Sequence, residues 1–259
     1  MHQQVQSIEL SLLALGGLPA IAAGDDLASL IHDSLQAEGI APRSDDVIVL
    51  AQKIVSKAEG RTILLSDVQP SARARELAQQ CDKDPRLVEL ILSESQEVMR
   101  VRPGVIVVRH RLGLVLANAG IDQSNIRHQG DGAALLLPED PDLSCRRLRT
   151  AIQERIGVAP AVVIIDSLGR AWRNGTVGIA IGAAGLPGCL DLRGRKDLFG
   201  RRLETSELGF ADEVAAAASL LMGQADEGRP VVLLRGLQLA RRDGSAAELI
   251  RSQHLDLFP

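Results

Sequence analysis

Aromatic residues are nearly missing from this chain: among 259 residues there is no Tyr, one Trp and three Phe. With 46% of the residues apolar, a sizeable core is still within reach, but Leu, Val, Ile and Ala have to build it. Lysine is scarce too, at four residues, so positive charge comes almost wholly from Arg. Arg grips carboxylate and phosphate bidentately, although an Arg-rich genome composition gives the same bias and is the simpler account. A formal net charge of -4 and the lack of any long basic run argue against a nucleic-acid binder, which needs an electrostatic footprint for phosphates. The cysteines, Cys81, Cys145 and Cys189, are odd in number and far apart. They make neither a CxxC pair nor a disulfide framework, which fits a reducing cytoplasm. The opening MHQQVQSIEL has no basic start before an apolar run, so no signal peptide is read. No apolar stretch approaches the roughly 20 residues that span a bilayer. The expectation is a soluble cytoplasmic protein with neither nucleic acid nor membrane as partner.

Motif absences narrow the chemistry. No Gly-Lys dipeptide occurs, which excludes a Walker P-loop, and no GxGxxG fingerprint is present. The histidines (His2, His32, His110, His128 and His254) show no metal-binding spacing and no HExxH. Cys145, within Ser-Cys-Arg-Arg, has no nucleophile signature and reads as a buried or neutral thiol.

What is present alternates between short β-type and helical runs. Strands are expected over 7–15, 46–52, 105–109, 113–117, 161–165 and 231–234, and helices over 27–38, 72–81, 87–92, 145–156 and 211–222. The runs 105–109 and 113–117 should form a hairpin, and 120–132 a polar loop. Residues 169–188, rich in Gly and Ala, resist assignment. The pattern says mixed α/β without the regular βαβ rhythm of a doubly wound sheet.

Four polar nodes stand out. The strongest is DSLGRAWRNG, where Asp166 and Ser167 end an apolar strand, the place where ligands collect in α/β proteins. Both are hard oxygen ligands of the kind Mg2+ or Mn2+ prefers beside phosphates. Arg170, Arg173 and the sole Trp, Trp172, follow at once, and two Arg so close to a metal carboxylate could clamp a polyanion. The bland alternative makes Asp166 a turn cap and Trp172 a core residue. The second node, NAGIDQSN, offers Asp122 and Asn125 in a glycine-bearing loop; Asp122 could supply the second carboxylate of a metal site, though a local turn is the default. The third, QKIVSKAEGR, holds two of the four lysines, and Lys is a standard phosphate partner, against a solvated strand end. In the fourth, Gly17 to Ile21 form a loop ahead of a helix, with Asp25 and Asp26 read as caps.

Taken in order, GLPAIAAGDDL, QKIVSKAEGR, RLGLVLANAGIDQSN, LLPEDPD, DSLGRAWRNG with GIAIGAAGL, and ADEVAAAASLLMGQ resemble the coenzyme F420-0:L-glutamate ligase (γ-glutamyl ligase) family over about residues 9 to 237. The resemblance implies a mixed α+β ligase fold of the F420 γ-glutamyl type, one domain over 1–259, in an intertwined homodimer. It implies that GTP phosphorylates the terminal carboxylate of the deazaflavin F420-0 and that the amine of L-glutamate attacks the acyl phosphate; further γ-linked glutamates can follow. It implies two divalent sites for Mg2+ or Mn2+, and admits K+. Asp122 and Asp166 would hold one divalent ion and Ser167 the second, and these three would carry the catalysis. Leu18, Pro19, Ala20, Ile21, Gln52, Lys57 and Asn125 would line the GTP site. The stretch 220–227, with Gly223 and Gln224, would complete it, Gln224 near the second metal. Ser167 stands where the family commonly has Thr, and Gln52 where some relatives have Ser. A deazaflavin- or nucleotide-binding module without ligase activity, or a same-fold ligase for another amino acid or acceptor, are the alternatives.

Overall fold

The computed structural model describes residues 7–124, 132–238 and 242–256. In chain order the elements are β1 (Ser11–Ala14), α1 (Leu27–Ala37), β2 (Val47–Ala51), α2 (Gln52–Ala58), β3 (Thr62–Leu64), α3 (Ala72–Cys81), α4 (Pro85–Ser93), β4 (Ser95–Arg102), β5 (Val105–His110) and β6 (Val115–Ala117). Then follow β7 (Ala133–Leu135), α5 (Pro141–Ile156), β8 (Ala161–Arg170), β9 (Arg173–Ala184), β10 (Leu190–Asp191), β11 (Glu207–Leu208), α6 (Phe210–Met222) and β12 (Val231–Arg235). The expected mixture of helix and strand is present.

The central sheet has the order β1-β12-β2-β8-β9, with β2 and β8 parallel and the other pairs antiparallel. Its inner strands read as continuous apolar runs because both faces are covered. Ile48, Leu50, Val162, Ile164 and Leu233 point into a core shared with Ile31 and Leu35 of α1 and Ile152 of α5. Val47, Val49, Val163, Ile165, Val232 and Leu234 point the other way, onto Val214, Ala215 and Ala218 of α6. The period of two along each strand thus divides one sequence run between two cores.

Asp26 caps α1 by accepting from the Ser29 N–H (3.1 Å), as read, whereas Asp25 accepts from the Ala22 N–H (2.8 Å) and so closes the turn before the helix instead of capping it. Helix α5 begins a turn ahead of the expected Cys145, because Pro141 occupies its first turn and Asp140 caps it through the Leu143 N–H (2.9 Å).

The stretch without an assignment, 169–188, contains the whole of β9. Its small residues are what the packing demands. A Cβ on Gly178 would stand 2.7 Å from the Ala215 carbonyl oxygen of α6, and one on Gly182 would stand 2.5 Å from the Pro141 carbonyl oxygen of α5. Helices press on β9 from both sides, and only glycine leaves room.

A third core joins α3 and α4 to the sheet β4-β5-β6. The β5–β6 hairpin is as expected. Strand β4 was not foreseen: two register shifts break its alternation, between Ser95 and Glu97 and between Val98 and Arg100. Glu94, buried at the end of α4, receives Arg61 Nη2 (2.9 Å) and Arg111 Nε (3.0 Å), while Arg61 Nε also donates to the Leu137 carbonyl (2.9 Å). Burial pushes the Glu94 carboxyl up, but His110 and the two guanidinium groups outweigh it and bring it to about 2. Asp46, fully buried, takes two 2.7 Å bonds from Arg235 and so ties the start of β2 to the end of β12.

Candidate active site

A cleft of about 430 Å³ opens at one end of the central sheet. Strands β1 and β2 end there and β12 begins there. Leu18, Pro19, Ala20 and Ile21 follow β1 and form one wall. Gln52, Lys53 and Lys57 enter from α2, Asp166 and Ser167 from β8, and Gly223, Gln224, Glu227 and Arg229 from the loop that links α6 to β12. Residues singled out at four separated stretches of sequence therefore share one cavity.

Asp122 reaches this group from the other lobe. Its backbone exchanges hydrogen bonds with Leu135 (3.0 and 2.8 Å), and its carboxylate lies 2.5 Å from Lys53 Nζ. Lys53 also donates to Ser124 Oγ (2.9 Å). Asn125 lies outside the described residues.

One expectation needs correcting. The strand expected to stop at Ile165 continues to Arg170, so Asp166 and Ser167 lie within β8 rather than at its end. The last β2 partner is Ala51, opposite Ile165; beyond it β8 pairs with β9 alone, and the two form an antiparallel arm. The rim of the cleft falls where β8 goes from two neighbouring strands to one. Trp172, at the tip of that arm, is 89% exposed, which rules out the core role offered as its bland reading.

The two carboxylates differ electrostatically. Burial pushes Asp166 above the usual carboxylate range and the charge of Asp122 adds to this, against the Ser167 N–H (2.8 Å) and Lys53. Burial pushes Asp122 up as well, but the Lys53 ammonium and the Ser124 N–H (2.6 Å) hold it below its ordinary value. A group charged at some cost beside one charged readily is the arrangement that a bound cation relieves. The donors on hand are carboxylates, a hydroxyl and the Gln224 amide, oxygen groups that fit a hard ion such as Mg2+ or Mn2+. Among the described residues no three His, Cys, Asp or Glu gather into a metal cluster.

Gln52 is 2% exposed, and its side-chain oxygen accepts from Ser56 Oγ (2.9 Å), so the amide is held in place at the cleft wall. Glu227 accepts from the Ala225 N–H (2.8 Å) and thereby closes its loop beside Gly223. Sequence reasoning missed Lys53 as a site residue and chose Lys57; the rarity of lysine marked both. It also missed Ser219 and Arg229 in the wall, for which no local signal existed. Cys145 is fully buried, and burial pushes its thiol far up, in keeping with the inert role read for it.

The sequence pattern of the family described as F420-0:Gamma-glutamyl ligase matches residues 17–236. A Methanothermobacter thermautotrophicus protein named Coenzyme F420:L-glutamate ligase is 48% identical over 251 residues, 96% of this chain and 98% of its own length. Proteins of the same name from Methanopyrus kandleri (44% identical, 94% of this chain and 100% of its own) and Archaeoglobus fulgidus (42%, 97% and 97%) are similarly related.

Proposed function

The chain belongs to the F420-0:Gamma-glutamyl ligase family, and from that premise we propose that it forms an amide bond between L-glutamate and the deazaflavin coenzyme F420-0 at the expense of GTP. The observation that carries this reading is the single cleft in which Leu18 to Ile21, Gln52, Lys57, Asp166, Ser167, Gly223 and Gln224 converge, with Asp122 bound to the cleft residue Lys53.

The chemistry has two stages. The acceptor carboxylate attacks the terminal phosphorus of GTP and GDP leaves. The amine of L-glutamate then attacks the acyl carbon, phosphate leaves, and the amine nitrogen gives up a proton. Neither stage needs a covalent enzyme nucleophile. What the protein must supply is alignment of anionic reactants and compensation of their charge. Lys57 and Arg229 face the cleft and suit the phosphates of GTP. Leu18, Pro19, Ala20 and Ile21 offer an apolar wall for the base, and Gln52, fixed by Ser56, a directed amide. Asp122 and Asp166 would hold one Mg2+ or Mn2+, and Ser167 with Gln224 a second; when bound, such ions neutralise charge on the transferred phosphoryl group. Lys53 keeps the Asp122 carboxylate ionised and oriented. We assign no residue to K+. An intertwined homodimer in the cytoplasm, and further γ-linked additions, belong to the same proposal.

The test is mass spectrometry of the unglutamylated coenzyme after incubation with the purified protein, L-glutamate, GTP and Mn2+. A gain of one or more glutamyl units, lost when GTP or the metal is omitted, is the expected result. Unchanged coenzyme would overturn the proposal, and replacing L-glutamate by other amino acids would show whether the acceptor or the donor is misassigned.

A further inference from the structure

Trp172 occupies a position that two physical arguments oppose. Its φ is +62°, in the left-handed region where a bulky side chain is strained and glycine is at ease. It is also 89% exposed on its own protomer, so the largest apolar side chain available finds no cover within the chain that carries it. The turn itself explains neither: Arg170 pairs with Arg173 across a two-residue connection, and Gly at 172 would make the same turn without strain. Strain that persists where a strainless residue exists points to a role outside folding.

Its surroundings indicate the role. The arm that carries Trp172 is the direct continuation of the strand bearing Asp166 and Ser167, and Gly178 at its base is clamped against Ala215 and Ser219 of α6, the latter a cleft residue. From Ser167 to the tip is about 15 Å along an extended strand. Trp172 shares its turn with two arginines, Arg170 and Arg173, the pair that closes it. Arg170 makes one long bond, to the Gly175 carbonyl (3.4 Å), and Arg173 has no hydrogen-bond or ion-pair partner among the described residues. A flat π surface flanked by two uncompensated cations, one strand-length from the reacting carboxylates, suits a ligand with an extended aromatic ring and an anionic tail.

We infer that Trp172 is the stacking platform for the heteroaromatic ring of the acceptor, with Arg170 and Arg173 receiving its anionic tail, so that the tail's carboxylate reaches Asp166 and Ser167. This rests on the acceptor named under the proposed function, and it adds a residue that selects that acceptor.

The experiment compares the full chain with Trp172→Gly and Trp172→Phe by equilibrium dialysis of F420-0, with no GTP present. Trp172→Gly removes the ring and also relaxes the turn, so it should be at least as resistant to urea as the parent. Its affinity for F420-0 should fall about tenfold or more, the loss of one aromatic stacking partner, whereas GTP binding stays within about twofold. Trp172→Phe should recover most of the loss. Equal binding of F420-0 by Trp172→Gly and the parent would overturn the inference, as would failure of the parent to bind it. So would a smaller sedimentation coefficient for Trp172→Gly, which would give the tip to a second copy of the chain instead. A parent that binds F420-0 without glutamylating it would refute the proposed function, and the dialysis comparison would still decide the role of Trp172.

Discussion

Asp166 and Asp122 approach one another from different lobes, and the cost of keeping both charged falls on Asp166, the one pushed upward. Replacing Asp166 by Asn removes the charge while keeping the shape. Turnover in the mass-spectrometric assay should fall by about a thousandfold or more, the scale of losing a charge that supports phosphoryl transfer, with a urea midpoint no lower than the parent's, since the cost of the buried charge goes with it. Full activity in that variant would refute the role given to the carboxylate. Lys53 makes the opposite case. Its ammonium, 2.5 Å from Asp122, must share that carboxylate with any cation that binds there. Lys53→Met should therefore bind Mn2+ more tightly, read by electron paramagnetic resonance, yet turn over more slowly; weaker Mn2+ binding would contradict this reading. At this scale the sequence was informative about Asp166 and Ser167, since a carboxylate and a hydroxyl ending an apolar run are visible as a string. Lys53 and Asp122 are partners across some 70 positions, and nothing in either neighbourhood announces the other.

Among the elements, β9 depends most on what it lacks. Gly178→Ala should cost about 1–3 kcal/mol, the ordinary penalty of overpacking, because its new methyl would meet a backbone carbonyl that cannot rotate away. Urea denaturation would measure it, and a neutral result would mean that α6 can shift. The same glycines explain why 169–188 gave no reading: they satisfy neither a helical nor a strand propensity, and their meaning lies in neighbours that sequence does not show. Helix α3, by contrast, spans Ala72–Cys81 as read, with Ser71 capping it through the Ala74 N–H (3.2 Å). A cap and a period of 3.6 are local facts, and local facts survive folding. Strand β4 lies between these cases, its alternation erased by two bulges.

For the whole molecule, the buried network at Glu94 links α4 and β5 to Arg61, which precedes β3. Its folded carboxyl, at about 2, lies below the ordinary 4.5. A depressed carboxylate stabilises the fold above its unfolded value and loses that contribution as pH falls. The window is thus pH 4.5 down to about 2. The shift corresponds to about 3 kcal/mol by linkage. Glu94→Gln should lower stability at neutral pH by an amount of that order and flatten the acid limb of a urea-midpoint profile; an identical limb would show that other carboxylates govern it. The connectivity of the central sheet has a further consequence, in time rather than in energy. β2 and β8 are parallel neighbours, but the whole third core is encoded between them, and β1 waits for β12 near the other end of the chain. On a ribosome, the α3–α4–β5 unit emerges complete while β2 has no partner. The cleft closes last, once β12 has been synthesised, so a stalled or truncated chain would hold a folded lobe beside an unpaired apolar strand and would depend on chaperones until released.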